Sequence, residues 1–192
     1  MSSKSRFVSR GGLKLEHALK TFGLNVTGST VLDVGSSTGG FVDCLLQNGA
    51  AKIYSVDTAY GELAWKLRQD PRVIVIERQN ILFLENLPQK VDLVTIDVTF
   101  TSLEKVLAKV AAFLKRGRKI ISLLKPQYQD QKLALKNRGV IPEEFHQKII
   151  TDAICAGETL GLQCLAQTES PILGGNGNIE FLLLWLYPSL KP

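Results

Sequence analysis

Thr30-Val-Leu-Asp-Val-Gly-Ser-Ser-Thr-Gly-Gly40 is the stretch that decides the fold. Its first five residues form the apolar run of a buried strand, and the small residues from Gly35 to Gly40 lead into an amphipathic helix over 39–47. Small residues allow backbone N–H groups and a helix N-terminus to approach a ligand closely. This strand–loop–helix unit therefore predicts the ligand-binding edge of a Rossmann-like α/β domain.

Short apolar runs and helical patterns alternate on both sides of this unit. Further strands are predicted over 52–57, 73–76, 91–97, 119–124, 162–167 and 179–186, and further helices over 61–68, 102–114 and 143–160. The alternation predicts a seven-stranded, mostly parallel sheet with helices on both faces. The last two strands have no helix between them, so the last strand is expected to be antiparallel. A polar loop is predicted over 126–142.

Composition limits the classes of function. The chain has 192 residues, 45% of them hydrophobic, which fits one compact domain with a sizeable core. No apolar run approaches the length of a membrane span, and the N-terminal residues do not form a secretory signal.

The cysteines and histidines indicate neither disulfides nor a metal site. The three cysteines, Cys44, Cys155 and Cys164, are odd in number and are not in C-x-x-C spacing, which indicates reduced thiols and a cytoplasmic protein. His17 and His146 have no metal-ligand partners in the pattern, so no metal is predicted. The net charge of +5 permits a polyanionic partner without requiring one.

Acidic residues around the glycine loop indicate the cofactor. Asp33 precedes Gly35 by two residues, and Ser37 stands where a dinucleotide fingerprint needs its middle glycine. A carboxylate there would repel a pyrophosphate, but it suits the ammonium and sulfonium charges of S-adenosylmethionine. Asp57 ends the second strand, where a carboxylate can accept both ribose hydroxyls. Asn80 either helps to hold the adenine or is a turn residue. The predicted cofactor contacts are Asp33, Gly35, Ser36, Ser37, Thr38, Gly39, Gly40, Phe41, Asp57, Thr58, Asn80 and Asp97.

Charged residues are predicted to meet at the same edge of the sheet. Asp97 ends the fourth strand, Lys125 ends the fifth, and Glu180 starts the last. Ligands of open parallel sheets bind outside the carboxyl ends of the strands, and an antiparallel last strand begins at that edge. Lys14, on a basic N-terminal helix, is expected to complete the group. The alternative interpretation of each residue, taken alone, is that it forms an ordinary ion pair at the surface.

Five motifs in order resemble the TlyA (haemolysin A) group of FtsJ-like ribosomal RNA 2′-O-methyltransferases. They are Ser9-Arg-Gly-Gly-Leu-Lys-Leu15, Asp33-Val-Gly-Ser-Ser-Thr-Gly-Gly-Phe41, Thr95-Ile-Asp-Val-Thr-Phe100, Leu124-Lys-Pro-Gln127 and Gly177-Asn-Ile-Glu180. The resemblance implies a class I methyltransferase fold, methylation of a ribose 2′-hydroxyl in ribosomal RNA, and a catalytic tetrad of Lys14, Asp97, Lys125 and Glu180. The resemblance runs from about Phe7 to Tyr187. Residues 1–22 stand outside the strand–helix alternation and are predicted to form a basic N-terminal extension and helix, which leaves a methyltransferase domain over 23–192.

The chemistry of the four residues agrees with this implication. The sulfonium is already activated, so the enzyme mainly positions the hydroxyl and manages its proton. Lys125 is predicted to accept that proton or to stabilise the developing alkoxide. Asp97 and Glu180 would orient the lysines, and Lys14 would help to place the ribose or its phosphate.

The RNA partner, a ribosomal RNA or a ribosomal subunit, requires a basic docking surface. Such a surface is predicted beside the site from Arg6, Arg10, Lys132, Lys136 and Arg138, although these residues also suit a solvated charged rim. The basic cluster at 115–119 is predicted to be a solvated turn at the opposite edge. Members of the group usually carry an N-terminal S4 RNA-binding module, and none is recognised in these 192 residues. Either that module belongs to a longer chain, or RNA docks by other means.

Two segments depart from the group's pattern. Tyr128-Gln129 stands where an aromatic residue and glutamate are usual, and Lys115-Arg-Gly-Arg-Lys119 replaces Lys-Pro-Gly-Gly. The main alternative is a methyltransferase that acts on a small molecule or a protein. The others are a membrane-active haemolysin and a non-catalytic RNA-binding module.

Overall fold

The computed structural model describes residues 6–99 and 101–189. The first five residues of the predicted extension, Phe100 of the third motif and the last three residues lie outside the described residues. The described residues form seven strands, which are β1 (Thr30–Val34), β2 (Lys52–Val56), β3 (Val73–Ile76), β4 (Val91–Ile96), β5 (Leu114–Leu124), β6 (Gln163–Glu169) and β7 (Phe181–Tyr187). They lie in one sheet in the order β3-β2-β1-β4-β5-β7-β6.

The predicted fold class is confirmed. Strands β1 to β5 pair in parallel, whereas β7 is antiparallel to both β5 and β6. The chain from β6 to β7 passes through one short 3₁₀ turn, Gly175–Gly177, so these two strands form an antiparallel pair without a crossover helix. In the described residues no helix combines the length and the apolar character needed to cross a membrane.

Helices cover both faces of the sheet because the buried strands alternate their side chains between two apolar clusters. The first cluster packs helices α4 (Leu103–Val110) and α7 (His146–Thr159) on one face. The second packs α1 (Gly11–Thr21), α2 (Gly40–Gln47) and α3 (Trp65–Arg68) on the other. Leu15, Ala18 and Leu19 of α1 are buried in this second cluster. The N-terminal helix is therefore packed against the same core as the cofactor loop.

The predicted polar loop over 126–142 is wrong in part, because α5 (Pro126–Gln129) and α6 (Gln131–Lys136) lie within it. Pro126 occupies the first turn of α5, where its missing N–H costs nothing. Asp130 then caps α6 by accepting a hydrogen bond from Leu133 N at 2.9 Å. Two such short helices leave little hydrophobic periodicity for a sequence pattern to detect.

Two other predicted helices are shorter than expected. The helix predicted over 61–68 begins only at Trp65, and the one predicted over 102–114 ends at Val110. Strand β5 starts at Leu114 and bulges at once, because Val91 pairs with Leu114 but Leu93 pairs with Lys119. The bulged residues 115–118 are exposed, as the predicted solvated turn requires, but they belong to β5. Asp92, opposite the bulge, pairs with two of its cations, Lys115 and Arg118.

Candidate active site

The sheet places three charged residues at one edge. Asp97 directly follows β4, and Lys125 directly follows β5. Leu124 pairs with Phe181 across the antiparallel β5–β7 ladder, so Lys125 and Glu180 occupy the next positions on neighbouring strands. The predicted meeting of these residues thus follows from the parallel β4–β5 pair and the reversed β7.

Two lysine–carboxylate ion pairs form at this edge. Lys14 Nζ from α1 lies 2.5 Å from Glu180 Oε2, and Lys125 Nζ lies 2.7 Å from Asp97 Oδ1. The Glu180 side chain is 2% exposed and both lysine side chains are 11% exposed. The angles at the Lys125–Asp97 contact are outside those of a hydrogen bond, and Asp97 Oδ1 accepts none from the described residues. This oxygen therefore retains the capacity to accept a further donor.

Two cavities meet at Gly35, Ser37 and Asp97. The first, of about 490 Å³, lies on the side of β2 and β3, and the second, of about 250 Å³, lies under α1. Residues predicted to bind the cofactor, and the predicted catalytic residues Lys14 and Lys125, are distributed over both. The first is lined by Gly35, Ser37, Asp57, Thr58, Asn80, Asp97 and Lys125, and the second by Lys14, Gly35, Ser36, Ser37, Thr38, Gly40, Phe41 and Asp97.

The glycine loop is held close to the end of β4. Gly35 has a φ of +84°, and a Cβ atom there would overlap the carbonyl oxygen of Asp97. A Cβ atom at Gly40 would overlap Ser9 Oγ and the backbone of Gly12, so α1 also approaches α2 closely. Gly39, by contrast, lines neither cavity, because it packs towards Leu67 of α3.

Asp57 joins the glycine loop to the end of β2. Its carboxylate accepts hydrogen bonds from Ser37 N at 2.6 Å and from Ala59 N at 2.8 Å. Asn80 is a turn residue, because its Oδ1 caps a 3₁₀ turn by accepting a hydrogen bond from Leu82 N at 2.9 Å. It also lines the first cavity, and its contact with an adenine stays a prediction.

Asp33 lies beneath the loop and lines neither cavity. It faces Thr95 across the β1–β4 ladder, and Thr95 Oγ1 donates to its Oδ1 at 2.6 Å. Its Oδ2 accepts no hydrogen bond from the described residues. Burial, aided by the nearby charges of Asp97 and Asp57, raises the pKa of Asp33 to about 7 despite the hydrogen bond from Thr95. Direct contact between Asp33 and a cofactor stays a prediction.

Stability is expected to fall as pH rises through the range in which Asp33 is protonated only in the folded state. Its pKa is raised from 3.8 to about 7, so folding becomes less favourable from pH 4 to pH 7, by up to about 4 kcal/mol. Asp33→Asn removes this dependence while keeping an oxygen for Thr95. Urea unfolding at pH 4.5 and pH 8 should therefore show that the free energy of unfolding falls more between these pH values in the unchanged protein than in Asp33→Asn. Parallel pH profiles for the two would contradict the raised pKa.

The residues predicted to bind RNA occupy different environments. Arg10 precedes α1 and lines the second cavity, whereas Arg6 forms an ion pair with Glu16 of α1. The remaining three, Lys132, Lys136 and Arg138, are exposed on or just after α6. None of these three forms an ion pair with another described residue.

Several cavity-lining residues were not assigned a role from the sequence. Ser9 and Gly11 lie within the first quoted motif, and Gly174 and Gly175 lie in a glycine-rich loop, so their signals were present. Further lining residues, among them Glu62, Gln79, Thr99 and Ile172, lie in irregular segments with no distinctive pattern. Across residues 6–99 and 101–189, no three His, Cys, Asp or Glu side chains are grouped as a metal site would need.

The sequence is similar to those of known methyltransferases. The sequence model of the FtsJ-like methyltransferase family matches residues 7–187. The chain is 43% identical to Bacillus subtilis YqxC, provisionally named an rRNA methyltransferase, covering 95% of this chain and 66% of that protein. It is 39% identical to Mycobacterium tuberculosis TlyA, a 16S/23S rRNA (cytidine-2′-O)-methyltransferase, covering 96% of this chain and 69% of TlyA. The chain thus spans about two thirds of the length of these relatives.

A solved structure resembles this one closely. It is a crystal structure of a protein described as a hemolysin from Lactococcus lactis. The two have a TM-score of 0.91 and 41% sequence identity, over 96% of this chain and 90% of the other.

Proposed function

Since the chain belongs to the FtsJ-like methyltransferase family, we propose that it transfers a methyl group from S-adenosylmethionine to a ribose 2′-hydroxyl of ribosomal RNA. The observation that carries this proposal is the pair of lysine–carboxylate contacts, Lys14–Glu180 and Lys125–Asp97, beside the junction of the two cavities. The names of YqxC and TlyA support an RNA substrate. The free state of Cys44, Cys155 and Cys164 accords with work in the reducing cytoplasm.

The residues present fit the cofactor. The absence of a Cβ atom at Gly35 lets the loop lie against the carbonyl group of Asp97, and both residues line the junction of the two cavities. Asp57 would hold the ribose hydroxyls, Asn80 would lie beside the adenine, and the loop over 35–40 would hold the methionine portion. When bound, the cofactor supplies a methyl group already activated by the positive sulfur.

The tetrad manages the incoming hydroxyl. Lys14 brings a cationic group to this edge, where it stabilises negative charge on the 2′-oxygen as its proton leaves. Lys125 accepts that proton as a free amine, and Asp97 holds the resulting ammonium in place. Glu180 holds Lys14 in the same way. The 2′-oxygen held in this way would be placed to take the methyl group that the bound cofactor supplies.

A third cavity, of about 360 Å³, suits the target nucleotide. It shares Gly175 with the second cavity, and its wall includes Tyr128, whose ring centroid lies 5.9 Å from Lys125 Nζ. Gln127 and Asn176 also line it, and Gln127 Oε1 accepts no hydrogen bond from the described residues. Aromatic rings and amides are the groups that stack on and hydrogen-bond to single-stranded bases.

Binding of the cofactor is expected to depend on Asp57. S-adenosylhomocysteine should raise the melting temperature by mass action, whereas NAD should not. Asp57→Ala removes the proposed ribose acceptor and should weaken binding by about tenfold or more, about 1.4 kcal/mol. Asp70→Ala serves as the control, because Asp70 precedes β3 at the opposite edge of the sheet and lines neither cavity. Equal thermal shifts with NAD, or none with the sulfur nucleotide, would contradict the proposed cofactor.

RNA affinity is expected to depend strongly on salt through the α6 cations. Changing Lys132, Lys136 and Arg138 to glutamine removes about three phosphate contacts and should flatten the slope of log K against log salt by about two to three. A matched control changes Lys115, Arg116 and Arg118, which carry the same charge on the β5 bulge at the opposite edge. If the two triple variants had the same slope, RNA would not dock beside the site.

A further inference from the structure

Asp43 of α2 is a buried carboxylate that the proposed chemistry does not use. It is 4% exposed and accepts hydrogen bonds from Val8 N at 2.8 Å, Lys66 Nζ at 2.9 Å and Gln47 Nε2 at 3.0 Å. Burial alone would raise its pKa, but the donors Gln47, Lys66 and Val8 outweigh burial and hold the pKa below its ordinary value. The group is therefore a stable anion in contact with the chain that precedes α1.

The segment over 6–10, here called the strap, runs between α2 and α1. Gln47 Nε2, besides contacting Asp43, donates to the carbonyl oxygen of Arg6 at 3.2 Å. The ring of Phe7 is buried and fills the space where a Cβ atom of Gly12 would lie. Asp43 and Gln47 thus hold two backbone groups of the strap, and Phe7 fixes the start of α1 above it.

Lys14 lies on the first turn of α1, immediately beyond the strap. Its amine must cross from this helix to Glu180 at the start of β7, a contact of 2.5 Å between residues far apart in the chain. A small displacement of α1 would open this contact, and a misplacement of about 1 Å in a catalytic group can cost about 10²-fold in rate. The strap, together with the packing of Leu15, Ala18 and Leu19 of α1 in the second cluster, therefore contributes to the position of Lys14.

We propose that Asp43 is a positioning residue that sets Lys14 against Glu180 by holding the strap on α2. This inference rests on the proposed methyl transfer for its effect on rate, but its structural part can be tested separately. Asp43 itself contacts neither the cofactor nor the RNA in this proposal, because it lines neither of the first two cavities.

The test is a double-mutant cycle between Asp43→Ala and Lys14→Ala, measured as kcat at saturating cofactor and well below the melting temperature of each variant. Asp43→Ala should lower kcat severalfold to about 10²-fold, with little change in cofactor affinity. In the Lys14→Ala background the same change should have no further effect, because coupled residues are not additive. Asp43→Asn, which keeps an acceptor for Val8 N, should recover much of the rate.

Lys66→Ala is the matched control, because it removes the half-exposed partner of Asp43 and leaves the Val8 hydrogen bond in place. It should keep a nearly normal rate. Equal loss of kcat from Asp43→Ala in both backgrounds would mean a merely structural role and would overturn the proposal. A normal rate for Lys14→Ala would overturn it too, together with the role of Lys14.

A second readout needs no activity. Mass spectrometry after amine acylation should show Lys14 protected in the unchanged protein and severalfold more reactive in Asp43→Ala, while Lys125 stays protected in both. Unchanged Lys14 labelling would overturn the proposal even if methyl transfer were normal. Increased labelling in a protein without RNA methylation would support the positioning role and remove the proposed function instead.

Discussion

Replacing Lys125 with alanine is expected to lower the rate of methyl transfer by about 10²–10⁴-fold, the usual cost of losing one proton-transfer group. Cofactor affinity should remain nearly intact, because the glycine loop and Asp57 are untouched. Lys125→Arg should fail as well, since guanidinium stays protonated and its planar fork cannot replace a compact amine 2.7 Å from Asp97. The assay is tritium transfer from labelled cofactor to ribosomal RNA under single-turnover conditions.

Lys119→Ala is the control for this prediction, because Lys119 belongs to the same strand, β5, but lies at the opposite edge of the sheet. It should methylate RNA at the normal rate. A normal rate for Lys125→Ala would remove Lys125 from the mechanism. Activity in Lys125→Arg would instead mean that positive charge suffices and that no proton is accepted at this position.

Glu180→Gln is expected to have the largest effect on stability. It keeps the shape of the side chain but leaves the Lys14 ammonium, 11% exposed, without its anionic partner. Breaking a buried ion pair from one side typically costs about 3–5 kcal/mol. Urea unfolding should show a loss of this size, and methyl transfer should fall with it because Lys14 is no longer held.

A double variant separates the two effects of that change. Lys14→Met combined with Glu180→Gln removes the buried charge, so it should be more stable than Glu180→Gln alone. It should nevertheless remain inactive, because the amine is gone. A single Glu180→Gln variant as stable as the unchanged protein would show that Lys14 is not buried against Glu180 in solution.

The sheet was predictable because its local signals agree. The apolar run ending at Val34 needs burial on both faces, and the small residues after it need a close approach to a helix, which only the edge of an α/β sheet satisfies. The edge location of Asp97, Lys125 and Glu180 follows from strand direction alone. Their pairing as two separate ion pairs does not, since it depends on where α1 packs.

Other features depend on long-range contacts that the local sequence does not encode. At the bulge, four residues of β5, 115–118, lie opposite one residue of β4, Asp92. The local sequence does not encode this pairing, and a basic run of this kind otherwise indicates a turn. Asp33 belongs to a recognisable motif, yet its side chain is buried against Thr95 below the loop rather than in a cavity. Nothing in the local sequence marks Asp43, because the strap residue that it contacts, Val8, lies 35 residues earlier in the chain.

The position of the transferred methyl group tests the central claim most directly. Ribosomal RNA labelled from tritiated cofactor is hydrolysed in alkali, which cleaves every linkage with a free 2′-hydroxyl, because that oxygen attacks the adjacent phosphate. A methylated 2′-oxygen cannot attack, so the account predicts that the label appears in alkali-resistant dinucleotides. Label recovered in mononucleotides, with the methyl on a base carbon or nitrogen, would contradict ribose methylation and leave the two lysine–carboxylate pairs without their proposed role.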